Sequence, residues 1–408
     1  MRTASPLRGS HSRFHSSDPR PPAILLGGYA NAVSVARSLS RSGVEVFALG
    51  DRASEVRHSR HRTGFVDLGT QGDVQGRWLA WLERSGPLGA VLLPCSDDGL
   101  ELVARNRGML LELGYRPIEA DDEVALAMLD KSETYARAAR LGVPTPRTYP
   151  VTSNEEIDEI SASIGYPCAL KPARAHEFHR RSGLPEKLVV VSSRAQLRER
   201  FASLAALGVE LLVTEIIPGG DDQLPSYYTY LDGSGKPLLH FTTRKLRQFP
   251  PNFGHGCYRL SEWDSEVAAL GLRFLQGVGV RGLAMTEFKR DPRDGKLKLI
   301  ECNHRFTSAT ELVRLAGIDL ATLTYRRALD LPVLPLSGFR EGVYLWSPAD
   351  DVRTFHAERS AGRLTSWDWV RSLLHRQHFP VFDWTDPTPT LAFHWSLFLR
   401  MLKTFRRR

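Results

Sequence analysis

Residues 23–51 read AILLGGYANAVSVARSLSRSGVEVFALGD: a short continuous apolar run, a glycine turn, a helical pattern and a second apolar run. An uninterrupted apolar run of four predicts a strand buried on both faces, which is the signature of a parallel sheet with helices on either side. Val33, Ala36, Leu39 and Ser40 fall at helical spacing behind it. The segment GAVLLPCSDDGLELVARN (89–106) repeats the pattern. Such alternation commits the first hundred residues to an open α/β sheet. In sheets of that kind ligands gather at the strand-end loops, here Gly27, Gly28, Asn31, Ser96 and Asp97.

The chain then changes character. A helix is expected from Lys131 to Leu141, ended by Gly142 and Pro144. Strands at 168–173, 187–192 and 210–217 and helices at 154–165 and 194–207 predict an α+β lobe. Two hairpins follow. One turns at the GSG of residues 233–235. The other spans 282–306 and turns at Asp294-Gly295. The divisions expected are a disordered basic tail (1–22), an α/β domain (23–125), a small lobe (126–210), a large lobe (211–330) and an extension (331–408). Trp346, Trp367, Trp369 and Trp384 predict that the extension is a packed appendage.

The net charge is +8 over 408 residues. Arg2, Arg8, Arg13 and Arg20 against Asp18 leave +3 in residues 1–22, and Arg400, Lys403 and Arg406 to Arg408 leave +5 in residues 391–408. The body is therefore neutral, and no nucleic-acid face is expected on it. The segment 391–408 is amphipathic at helical spacing, with Leu391, Trp395, Phe398, Leu402 and Phe405 on one face and Arg400, Lys403 and Arg407 on the other. That pattern suits either an interfacial helix on anionic lipid or a helix packed on the body. Cys95, Cys168, Cys257 and Cys302 lack metal-site spacing, which fits a reducing cytosol.

Four patterns carry chemistry. Glu301 and Asn303 are two apart on one strand and share a sheet face, and an antiparallel partner can bring Glu287 beside them. Two carboxylates and an amide make an oxygen site for magnesium. The bland alternative is an exposed strand with surface acids. Lys171 lies inside an apolar strand, which is costly unless the amine meets an anion. Lys131 begins a helix, where a cation is mildly disfavoured. The strand LLVTEIIPGGDD (211–222) ends in Glu215, whose neighbouring backbone can bond an adenine edge, with Asp221 or Asp222 in reach of a ribose. Arg244, Lys245 and Arg247 form a basic run before a rigid Pro-Pro, suited to stabilising phosphoryl transfer or to a solvated strand. Arg305 offers a bidentate fork for a carboxylate.

Taken in order, Lys131, Lys171, Glu215, Asp222, Arg244, Glu287, Glu301, Asn303 and Arg305 resemble the ATP-grasp superfamily over residues 23–330. IECNHRF is similar to its metal strand, which ends in Glu-x-Asn-x-Arg. ALKPA, EIIPGGDD and RKLRQFPP together look closest to the predicted carboligases near D-aspartate ligase. The resemblance implies an ATP-grasp fold, an α/β domain followed by two α+β lobes that clasp ATP. It implies a carboxylate–amine ligase using ATP and Mg2+ (or Mn2+) through an acyl phosphate, with an amino acid or short peptide among its substrates. Lys131 and Lys171 would hold phosphates. Glu215 with the backbone of Ile216 and Ile217 would take adenine, and Asp222 the ribose. Glu287, Glu301 and Asn303 would hold the metal, and Arg305 and Arg244 would steady the acyl phosphate. A homodimer, a cytoplasmic location and contact with the inner membrane face through 391–408 are further expectations. One departure stands out: the family's glycine-rich loop after the second lysine is replaced by ARAHEFHRRSGLPEKL (173–188), expected here as a polar loop. Two rival readings remain, a dinucleotide oxidoreductase on the partial glycine motif GGYANA, and a degenerate member acting as a membrane-surface or interaction module.

Overall fold

The computed structural model describes residues 20–183 and 188–393. The basic segment 1–19, Lys187, and all of 394–408 with its amphipathic pattern lie outside the described residues.

Three sheets organise the chain. The first contains β1 (Ala23–Leu26), β2 (Val46–Gly50), β3 (Gly64–Asp67), β4 (Val91–Pro94) and β5 (Arg116–Pro117), all parallel, in the order β3-β2-β1-β4-β5. Chain order reverses between β1 and β4, so their carboxyl ends open a crevice. Gly27 and Gly28 sit there with φ of 73° and 92°. A Cβ on Gly27 would stand 2.3 Å from the Ser96 Oγ, so the turn needs glycine for space as well as for backbone angle.

The second sheet contains β6 (Thr148–Val151), β7 (Cys168–Pro172), β8 (Val189–Val191) and β9 (Leu211–Glu215), antiparallel in the order β6-β9-β7-β8. Helices Asn154–Ile164 and Arg194–Ala205 cover it, capped by Ser153 and Ser193, and bury Ile157, Ile160, Leu197 and Phe201. β9 sits between β6 and β7, so Leu211–Glu215 belongs to this second sheet. The expected polar loop after Lys171 is a helix, Ala175–Ser182, stopped by Gly183 at φ 67°. It forms because it docks: Arg180 Nη1 lies 2.8 Å from Asp98 and 3.1 Å from Glu101, and His176 Nε2 lies 3.2 Å from Glu101, all on the helix Asp97–Glu112. Tertiary ion pairs override a composition that reads as loop.

The third sheet contains β10 (Leu224–Leu231), β11 (Phe241–Phe249), β12 (His255–Ser261), β13 (Gly282–Arg290), β14 (Leu297–Asn303), β15 (Tyr344–Trp346) and β16 (Gln377–His378), in the order β14-β13-β10-β11-β12-β15-β16. The extension left unassigned by the sequence thus supplies the last two strands. Asp351 locks it down, accepting from Arg247 Nη2 at 3.0 Å and from the indoles of Trp346 and Trp369, each at 2.9 Å. Trp367 and Trp384, by contrast, are exposed. Among the described residues no helix is long and apolar enough to cross a membrane, and the four cysteines are buried thiols.

His304, just past β14, is buried, and its Nε2 meets the Arg281 carbonyl. Burial lowers its imidazole from 6.5 to about 4. Between those values the unfolded chain binds a proton that the folded chain does not, so stability falls as pH drops through the window, by about 3 kcal/mol at most. His304→Gln keeps an amide donor there. We expect it to flatten the pH dependence of the melting temperature between pH 7 and 4.5; an unchanged dependence would exclude this histidine as its source.

Candidate active site

All three sheets face one cleft of about 1030 Å3. Its floor is the hairpin of β13 and β14. Glu287 pairs directly with Glu301, and Met285 with Asn303. A bulge beside Glu287 absorbs Ile300, so Glu301 and Asn303 stay in step with the partner strand. The three side chains line the cleft together. Like charges directly opposite on one sheet face repel. Lys245 Nζ, 2.9 Å from Glu287 Oε1, cancels one of them. Two carboxylates and an amide oxygen are hard donors, so the set fits Mg2+.

Lys171 enters from β7, 7% exposed, and donates to the Tyr135 hydroxyl at 3.0 Å. Tyr135 donates in turn to the Ile300 carbonyl at 2.8 Å, linking the small lobe to β14. Burial lowers the Lys171 ammonium from 10.5 to about 8. Lys131 starts the helix Lys131–Arg140 and lines the same cleft, its amide bonded to the Ala173 carbonyl at 3.0 Å.

The hinge after β9 differs from expectation in one respect. The Glu215 carboxylate already accepts from the Arg147 amide at 2.9 Å and from Arg293 at 3.2 Å, with Lys298 at 3.7 Å. Burial pushes its carboxyl up, but these partners outweigh burial and hold it below the usual range. Its side chain is therefore committed to the fold. Ile216 and Ile217 line the cleft, and no described residue bonds to their backbone, which leaves those groups for a ligand. Asp222 is exposed on the turn Asp221–Gln223, outside the cleft lining. Asp221 is occupied by Gln248 and Asn252.

Two arginines are already paired. Arg244 pairs with Glu262 at 2.9 Å and does not line the cleft. Strand alternation turns it away from Lys245, which faces in. Arg305 lines the cleft, but its fork is already engaged by Asp97, with Nη2 to Oδ2 at 3.0 Å. It ties the first domain to the segment that follows β14 instead of standing open for a substrate. Asn31 does the same, donating to the carbonyls of Cys95 at 2.8 Å and Phe306 at 3.0 Å.

The sequence reading missed Arg259 on β12, and it missed a wall made by the extension from Leu345, Phe379, Pro380 and Phe382. Arg259 carries the signal that singled out Lys171, a cation in a buried strand. The wall has no local signal, because its residues reach the cleft only through strand pairing.

No family model matches the chain. By sequence it is 25% identical over 355 residues to D-aspartate ligase of Enterococcus faecium, covering 81% of this chain and 80% of that protein. It is 23% identical over 305 residues to D-alanine–D-alanine ligase of Neisseria gonorrhoeae, covering 69% and 86%. By structure it resembles the biotin carboxylase domain of the 2-oxoglutarate carboxylase of Hydrogenobacter thermophilus, solved with MgADP and bicarbonate. That match has a TM-score of 0.63 at 18% identity and covers 80% of this chain and 74% of that one. With its parallel N-terminal sheet, its two antiparallel lobes and these distant relatives, the chain belongs to the ATP-grasp superfamily.

Proposed function

We propose that this chain is an ATP- and Mg2+-dependent carboxylate–amine ligase that forms an amide bond through an acyl phosphate. The observation that carries the reading is the directly paired Glu287 and Glu301, with Asn303 beside them, at the floor of a cleft into which Lys171, Lys131 and Lys245 also point their charge.

The parts divide as follows. The backbone of Ile216 and Ile217 receives the adenine edge. Lys171 and Lys131 hold the phosphates, and the helix Ala175–Ser182, whose first turn lines the cleft, covers them in place of a glycine-rich loop. Glu287, Glu301 and Asn303 hold the divalent cation, which supplies charge neutralisation for the transferring phosphoryl group. A substrate carboxylate oxygen bonds to the γ-phosphorus as the bond to the bridging oxygen breaks and ADP leaves. An amine then attacks the acyl carbon, the carbon–oxygen bond breaks, and phosphate departs. Lys245 keeps Glu287 in place throughout, and Arg305 keeps the first domain against the metal strand.

The test is phosphate release from ATP and Mg2+ across a panel of carboxylates and amines, with Glu301→Ala as control. Release that needs both an acid and an amine supports the ligase. ATP binding with no release from any pair would favour an interaction module.

Lys171 gives an independent check. Its folded value of about 8 lies below its ordinary 10.5. Between those values the unfolded chain binds more protons, so stability rises with pH across the window and is reduced below it. A phosphate beside the amine raises its pKa again. Nucleotide binding near pH 8.5 should therefore take up protons, a value set between the two limits above. Calorimetry in buffers of different ionisation enthalpy should show this uptake, and Lys171→Met should lose it. Equal uptake in both proteins would remove Lys171 from the phosphate site.

A further inference from the structure

Arg259 is 4% exposed and has no carboxylate partner among the described residues. Its Nε and Nη1 are buried without a hydrogen-bond partner, and Nη2 makes a single 3.3 Å contact with the Ser308 Oγ. The guanidinium lies over Gly256, where a Cβ would stand 2.6 Å from Nε, so the chain has cleared space for it. Arg259, Gly256 and Ser308 all line the cleft. A buried guanidinium without a counter-ion is costly, and its cross-strand neighbour Lys245 adds repulsion. Lys245 spends its charge on Glu287, so nothing described cancels Arg259. Such a group is retained when an anion arrives with a ligand.

Register identifies which anion. The sheet order places β12 three strands from β13, about 14 Å across at ordinary strand spacing. The acidic hairpin of β13 and β14 lies on that side, and on the ligase reading the metal and the phosphates lie with it. On the other side, Arg259 pairs with Leu345, Leu345 pairs with His378, and Phe379 follows directly. The anion site therefore abuts the apolar wall of Leu345, Phe379 and Phe382 rather than the nucleotide. Resting on the ligase reading, we infer that Arg259 anchors the free carboxylate of the amine-donating substrate. That substrate is an α-amino acid with an apolar side chain. Its carboxylate takes the arginine fork, its side chain meets the wall, and its amine is turned toward the acyl phosphate on the metal side.

The test pairs binding with turnover on the full chain. Calorimetry with Mg2+ and a non-hydrolysable ATP analogue compares phenylalanine and leucine, in both enantiomers, with their amides; amide-bond formation is assayed with the same acceptors. Wild type should prefer the free acids by about 30-fold or more, the cost of leaving a desolvated charge unpaired. Arg259→Met should erase that preference with nucleotide affinity intact, and should melt no lower than wild type, since it removes an unpaired buried charge. Arg259→Lys should restore part of the preference, because charge returns without the fork. If Arg259→Met does not fold, Ser308→Ala reads the same quantity and should narrow the preference. The inference is overturned if wild type binds no probe, if it binds acid and amide alike, if Arg259→Met keeps the preference, or if that variant loses nucleotide instead. Bond formation without acid preference sinks the anchor and leaves the ligase. Acid preference without bond formation from any pair leaves the anchor and sinks the ligase.

Discussion

Glu301→Gln should lower ATP-dependent phosphate release by about a thousandfold, the order lost when one electrostatic support of a transition state is removed. The substitution preserves shape and takes away one charge. Glu301 faces Glu287 across the hairpin, and Lys245 pairs with Glu287. Removing the charge relieves a cross-strand repulsion, which offsets the lost attraction to Lys171, Lys245 and Arg305, so the melting temperature should stay close to wild type. Loss of activity together with retained stability is the diagnostic pair, because a merely structural glutamate would show the reverse. Activity within tenfold of wild type would take Glu301 out of the metal set. Magnesium titration adds a second reading: the variant should need far more metal for whatever release remains, since a magnesium site with one carboxylate fewer binds more weakly.

Asp386→Ala should be the most destabilising single change outside the cores, at about 3–5 kcal/mol, the cost of breaking one partner from a buried ion pair. Asp386 and Arg37 are both 0% exposed and lie 3.0 Å apart. Asp386 also accepts from the Ser59 hydroxyl at 2.6 Å and the Arg60 amide at 3.0 Å. Arg37 in turn donates to the carbonyls of Val381 at 2.7 Å and Asp386 at 2.9 Å. This network plugs the end of the extension into the first domain and holds the stretch that carries Phe379 and Phe382. We therefore expect a second effect. KM for the amine substrate should rise while KM for ATP stays near wild type, because the network of Asp386 holds the stretch of the wall and makes no bond to the hinge or the lysines. Denaturant unfolding and steady-state kinetics check the two halves. A stability change under about 1 kcal/mol would mean that the pair is not what fastens the extension.

The two predictions rest on features of unequal visibility in the sequence. The hairpin was readable because its signals are local. Period-two spacing puts Glu301 and Asn303 on one face, Asp294-Gly295 marks the turn, and Gly295 adopts φ 70° there. The lysine in β7 was readable because a charge within an apolar strand is costly anywhere. The parallel sheet was readable from two apolar runs followed by glycine or polar turns. In each case the physics operates within about ten residues.

What the sequence left open depends on who stands opposite. Arg244 and Arg305 have the right chemistry for a phosphate site, yet Glu262 and Asp97 occupy them, and Asp97 lies more than two hundred residues from Arg305. Glu215 marks the hinge, but three cations from other segments consume its carboxylate. Residues 175–182 read as loop and fold as a helix because the carboxylates of another domain receive His176 and Arg180. Arg259 carries the same signal as Lys171, but that no described carboxylate compensates it shows only once the partners are placed.

The sequence by itself therefore determined the class of fold, the acidic hairpin and the buried lysine of β7, since strand period, turn chemistry and the cost of burying charge are properties of short segments. Only the tertiary structure decided which cations remain uncompensated at the cleft and what closes its far wall. Charge neutralisation and strand pairing are settled between residues far apart in the chain, and a linear pattern does not record the distances that settle them.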